Sequence, residues 1–97
     1  MEEIELKPRD WEYLGILQEE CGEVTSIVSK IRRFGLYSYN PFIENAQTNL
    51  DLLHSEVGDI LALVQLLTER GVLNQQVLNN AINNKLSKLP KFLRTVD

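Results

Sequence analysis

From Leu14 onwards apolar residues recur at alternating intervals of three and four, as Leu14, Leu17, Cys21, Val24, Val28 and Ile31. That spacing keeps them on one side of an α-helix and has the rhythm of a helical-bundle seam. The rhythm returns at Leu50, Leu53, Val57, Ile60, Val64 and Leu67. A shorter run, Val77, Leu78, Ala81, Ile82 and Leu86, predicts a third helix. No stretch alternates apolar and polar residues as a half-buried strand would, so the pattern predicts an all-α fold.

Turn and cap residues set the expected boundaries. Residues 1–9 read as a polar lead ending in Lys7-Pro8-Arg9, with Asp10 as N-cap of the first helix. Arg33-Phe34-Gly35 closes that helix, since glycine tolerates positive φ and cations suit the negative helix end. Residues 36–46, with Pro41 and the aromatics Tyr37, Tyr39 and Phe42, have no clean period and read as a loop with a short helical turn after Pro41. Thr48 or Asn49 caps the second helix, Arg70-Gly71 ends it, and Asn74 caps the third. Pro90 should stop or bend the third helix, leaving 90–97 as a basic tail. Residues 1–97 thus make a single domain.

Each long helix has a second stripe one notch around from the first. On the first helix it is Ile16, Glu20, Glu23, Ile27 and Lys30; on the second, Leu52, Glu56, Asp59, Leu63 and Leu66. Two apolar stripes mean burial on more than one side. Three helices of this size cannot cover both stripes of the second, so the expected architecture is a bundle of three to four helices per chain, completed by a dimer or higher oligomer.

Composition narrows the class. The net charge of −4 argues against a protein that chiefly grips a nucleic-acid backbone, despite small basic clusters at Lys30, Arg32 and Arg33 and at Lys85, Lys88, Lys91 and Arg94. The lone Cys21 has no cysteine to pair with and fits a reducing compartment. The acidic start, Met1-Glu2-Glu3-Ile4-Glu5, is not a secretory signal, and no run is long and apolar enough for a membrane span. A cytoplasmic protein is expected.

The candidate chemistry lies in a phrase spoken twice, Glu20-Cys21-Gly22-Glu23-Val24 and Glu56-Val57-Gly58-Asp59-Ile60. Residues three apart share a helix side, so each copy offers two carboxylates to one place. Acid pairs at this spacing often only decorate a solvated face. Here, however, Gly22 and Gly58 each sit within a strong helix pattern at a cost of roughly 1 kcal/mol relative to alanine, which suggests close helix approach or room for a ligand. Antiparallel helices roughly 8–10 Å apart would bring the four acids onto one hard cation, Mg²⁺ or Mn²⁺. A di-iron site needs Glu-x-x-His pairs, and His54, the only histidine, lies two before Glu56. His54 therefore reads as a surface or satisfied partly buried group, with phosphate contact the minor alternative, and Cys21 reads as core.

The motifs Glu19-Glu20-Cys21-Gly22-Glu23 and Glu56-Val57-Gly58-Asp59 resemble the Glu-Glu-x-x-Glu and Glu-x-x-Asp motifs of the MazG-like all-α nucleoside triphosphate pyrophosphohydrolases. The resemblance spans roughly residues 10–89 and includes helix order. Lys30-Ile31-Arg32-Arg33-Phe34-Gly35 is similar to a run in small, often phage-borne members. It implies Mg²⁺-dependent cleavage between the α and β phosphates of a nucleoside triphosphate, giving monophosphate and pyrophosphate, by a homodimer or homotetramer. It further implies Glu20, Glu23, Glu56 and Asp59 as metal ligands and Glu19 as an acid that orients the attacking water or a ligand carboxylate. Asn83 and Lys85 match the family's Asn-x-Lys segment and would meet the phosphates, as would Lys30, which otherwise reads as a solvated charge. The 32 residues between Glu23 and Glu56 exceed the usual family spacer. Trp11 and the loop around Tyr37 either stack on the base or cap the end of the bundle. Related alternatives are a phosphoribosyl-ATP pyrophosphatase-like enzyme and a non-catalytic helical oligomer that binds nucleotide or protein.

Overall fold

In the computed structural model residues 3–96 are described, so the first two residues of the expected lead and the last of the tail lie outside them. The fold is all-α: α1 (Pro8–Phe34), α2 (Asn49–Glu69) and α3 (Gln75–Lys88), followed by a 3-10 turn (Leu89–Lys91). There is no strand among the described residues.

The chain enters α1 earlier than Asp10. Lys7 is the N-cap and Pro8 the first helical residue, where its missing N–H costs nothing. Asp10 is instead the third helical residue; its Oδ2 accepts the Lys7 backbone N–H at 2.8 Å. The start of α2 follows expectation: Thr48 Oγ1 accepts the Asp51 N–H, and Asp51 Oδ2 accepts the Thr48 N–H, a complete capping box. Asn74 Oδ1 likewise accepts the Val77 N–H at 3.0 Å to open α3. Gly35 ends α1 at φ 98° and ψ 164°, a positive-φ extended conformation closed to other residues, rather than the left-handed helical one. Pro90 falls in the 3-10 turn that terminates α3. Between α1 and α2 the loop has turns but no helix; at Pro41 a single hydrogen-bonded turn forms, the Ile43 N–H donating to the Asn40 carbonyl at 3.2 Å while Asn40 Oδ1 accepts the Phe42 N–H.

α1 and α2 form an antiparallel hairpin tied at both ends. At one end the Arg70 guanidinium donates to the buried Asp10 carboxylate. At the other, the buried Asn49 donates from Nδ2 to the Gly35 carbonyl at 3.0 Å, and the backbone N–H groups of Asn49 and Leu50 donate to Ser38 and Leu36. Between these ties the half-buried or buried positions include Leu14, Leu17, Glu20, Val24, Ile27 and Ile31 on α1 and Leu52, Leu53, Glu56, Ile60, Leu63, Val64, Leu66 and Leu67 on α2. Much of the expected seam is kept, but the contact is shifted towards the stripe of Glu20 and Ile27 on α1 and of Glu56 and Leu63 on α2. Cys21, expected in the core, is exposed, and Val28 and Val57 are about two-fifths exposed. The shift has a simple cause: α2 packs over the boundary between the two stripes of α1, so Glu20 and Ile27 turn inward and Cys21 and Val28 turn out.

The third helix does not pack along this hairpin. Its apolar residues Ile82 and Leu86 are left 54% and 62% exposed, and among the described residues Ile27, Leu63 and Leu67 form the buried apolar core. The radius of gyration is 17.0 Å, against about 12.5 Å for a compact chain of this length. The accessible surface is 8350 Å², against roughly 5700 Å² for a compact monomer of this mass.

Candidate metal centre

The repeated acid phrase meets itself across the hairpin seam. Carboxylate oxygens of Glu20, Glu56 and Asp59 lie within 4.8 Å of one another. Glu20 and Glu56 are half-buried because they occupy seam positions, whereas Asp59 sits on the flank of α2 that opens to solvent. Glu20 Oε2 is enclosed and receives no N–H or O–H from the described residues. The carboxyl of Glu20 is pushed up to about 7, first because a proton held there can be shared with the Glu56 carboxylate, then by loss of water, then by the negative charges of Glu56 and Asp59. The ion pair found among the described residues, Asp10 with Arg70, is at the hairpin's end, so no Lys or Arg neutralises this trio. Three converging carboxylates, one of them carrying an oxygen with no hydrogen-bond donor, make a donor set suited to a hard divalent cation.

The other expected site residues fall in different places. Glu19 and Glu23 are exposed on α1 and lie outside the trio. Glu23 and Lys30 are seven residues apart, as are Leu52 and Asp59, so each pair repeats on one helix flank two turns on. Lys30 and Leu52 line a cavity of about 650 Å³ between the end of α1, the loop and the start of α2. Along the helix axes Leu52 lies roughly 10 Å from Asp59, and Lys30 roughly 15 Å from Glu20. Tyr37 is 71% exposed and does not line it; Tyr39 and Phe34 do. Trp11, 63% exposed, stands at the far end of α1, roughly 35 Å from Phe34. Trp11 and the aromatic loop of one chain therefore cannot sandwich one ring. Asn83 and Lys85 are exposed on α3, which carries them away from the hairpin instead of packing them near the trio. His54 is exposed. A Cβ at Gly22 or Gly58 would meet nothing within 4 Å, so close approach of the chain's own helices does not account for either glycine.

Three structural roles escaped the sequence pattern. Asp10 looked like a cap, Arg70 like a helix-end cation and Asn49 like a second candidate cap; in the fold they tie the hairpin's two ends. Only the register between α1 and α2 reveals this. Comparison with protein-family models, with curated proteins and with solved structures gives no match, so the family resemblance rests on the motifs alone.

Proposed function

We propose that the chain is a Mg²⁺-dependent nucleoside triphosphate pyrophosphohydrolase that cleaves between the α and β phosphates and trims the nucleotide pool. The observation supporting this most is the convergence of Glu20, Glu56 and Asp59, with Glu20 Oε2 left without a hydrogen-bond donor. These three would hold the cation, with Glu23 able to join from the adjacent flank; Mn²⁺ is the natural substitute. Bound there, the cation would neutralise phosphate oxygens and make a water more acidic. Phosphoryl chemistry asks mainly for positioning and charge neutralisation, so no nucleophilic side chain is needed. Glu19, exposed on α1 near the acids, would orient the attacking water, and Lys30 would meet phosphate from the cavity side.

The site is proposed to work in a homodimer or homotetramer. The unpacked α3 and the bare flank of Cys21, Val28 and Val57 favour this, because another copy would cover them and could bring Asn83 and Lys85 to a neighbouring hairpin. The proposal is tested by pyrophosphate release from nucleoside triphosphates with Mg²⁺, comparing the wild type with Glu56→Gln and Asp59→Asn. Each substitution should lower turnover by more than the roughly 10–100-fold typical of a residue that merely supports a ligand. Unchanged release in both variants would remove the metal assignment.

A further inference from the structure

The cavity at the loop end of the hairpin differs in chemistry from the rest of this acidic chain. Among its lining residues are one cation, Lys30, and no carboxylate, and Lys30 makes no ion pair among the described residues. The aromatics Phe34 and Tyr39 line it, and the Arg33 guanidinium lies over the Phe34 ring, 4.8 Å from its centre. Asn45 and Gln47 also line it, and the side-chain amide of neither is used in a hydrogen bond within the protein among the described residues. The volume of about 650 Å³ is within the range of small-molecule sites. A lone cation without a counter-charge selects an anion. Aromatic faces select a planar ring, and amides, each both donor and acceptor, select a ring whose edge carries both kinds of group.

We infer that this cavity binds the nucleoside part of a nucleotide, its heteroaromatic ring against Tyr39 and Phe34, its edge read by Asn45 and Gln47, and its first phosphate at Lys30. The ring-reading aromatic of the loop is then Tyr39 rather than Tyr37, and Trp11 has no part in it. The lining carries the inference; the hydrolase reading supplies only the direction of the remaining phosphates, along the shared flank towards Glu20, Glu56 and Asp59.

The test uses the full chain without Mg²⁺, titrated calorimetrically with the 5′-monophosphates of adenosine, guanosine, cytidine and thymidine, with the uncharged nucleosides and with ribose 5-phosphate. At least one monophosphate should bind, and the matching nucleoside and ribose 5-phosphate should each bind about tenfold more weakly or worse, the loss expected when one charge-assisted contact or one stacked ring is removed. Lys30→Ala and Tyr39→Ala should weaken the monophosphate at least about fivefold, while Trp11→Ala and Tyr37→Ala leave it unchanged. Backbone amide shifts of the wild-type chain, which need no variant to fold, should move at residues 38–47. Absence of monophosphate binding, equal binding by the Lys30 and Tyr39 variants, or shifts confined to other segments would overturn the assignment. Mg²⁺-dependent pyrophosphate release with an unaltered KM in Lys30→Ala and Tyr39→Ala would overturn the cavity and spare the hydrolase. Monophosphate binding at residues 38–47 without hydrolysis of any triphosphate would do the reverse.

Discussion

Glu20 and Asp10 are both partly enclosed carboxylates on α1, and their surroundings push them in opposite directions. Hydrogen bonding to Arg70 and to the Lys7 backbone holds Asp10 below the ordinary aspartate range. Its folded form therefore prefers the charge, and its contribution to stability is present above the unfolded value of about 3.8 and lost as pH falls through the lowered one. Asp10→Asn should lower stability at pH 6 and reduce the loss between pH 6 and pH 3, as urea melts at the two pH values would report. Glu20, pushed up to about 7, prefers its proton in the metal-free fold. The metal-free protein should then lose stability as pH rises from about 4.5 to about 7, because the folded state holds a proton that the unfolded chain gives up. Glu20→Gln should flatten that decline, and a decline that persists in the variant would assign it to another group. Mg²⁺ should oppose the decline in the wild type, since a bound cation stabilises the charged trio.

At the scale of the helices, two stripes per helix were legible from spacing alone, while the choice of which stripe faces the partner helix was not. Both stripes have bundle periodicity, and an acid at a seam position looks like a poor core residue until a cation is considered. Burial shows that neither stripe faces the partner alone: Ile27 and Leu63, from the stripes that include the acids, and Leu67, from the first seam, are inside, while Ile16 of one stripe and Val28 and Val57 of the other are not. The caps Thr48 and Asn74 and the stop at Gly35 could be read locally because their hydrogen bonds or backbone angles are local. The ties Asp10 to Arg70 and Asn49 to Gly35 could not, because each joins residues distant in sequence. Leu67 is fully buried, so Leu67→Ala should cost about 2–5 kcal/mol in denaturant melts. Gly22 and Gly58 have open space around them, so replacing either by alanine should add about 1 kcal/mol to the stability of an isolated hairpin. A loss instead would place another chain against that face.

For the whole molecule, the extended shape and the small buried core point beyond one chain. The accessible surface exceeds that of a compact monomer by an amount within the range that obligate homodimers bury. Sedimentation should give a mass of at least two chains, and Ile82→Glu with Leu86→Glu should lower it by charging the bare face of α3; a wild-type monomer would leave that face unexplained. The central claim is the bond that is cut. Phosphorus NMR of a panel of the eight common nucleoside triphosphates, incubated with the protein and Mg²⁺, tests it most directly. At least one triphosphate should give its monophosphate and pyrophosphate in equal amounts, with no reaction after chelation. Diphosphate with inorganic phosphate, or no turnover of any of the eight, would contradict it.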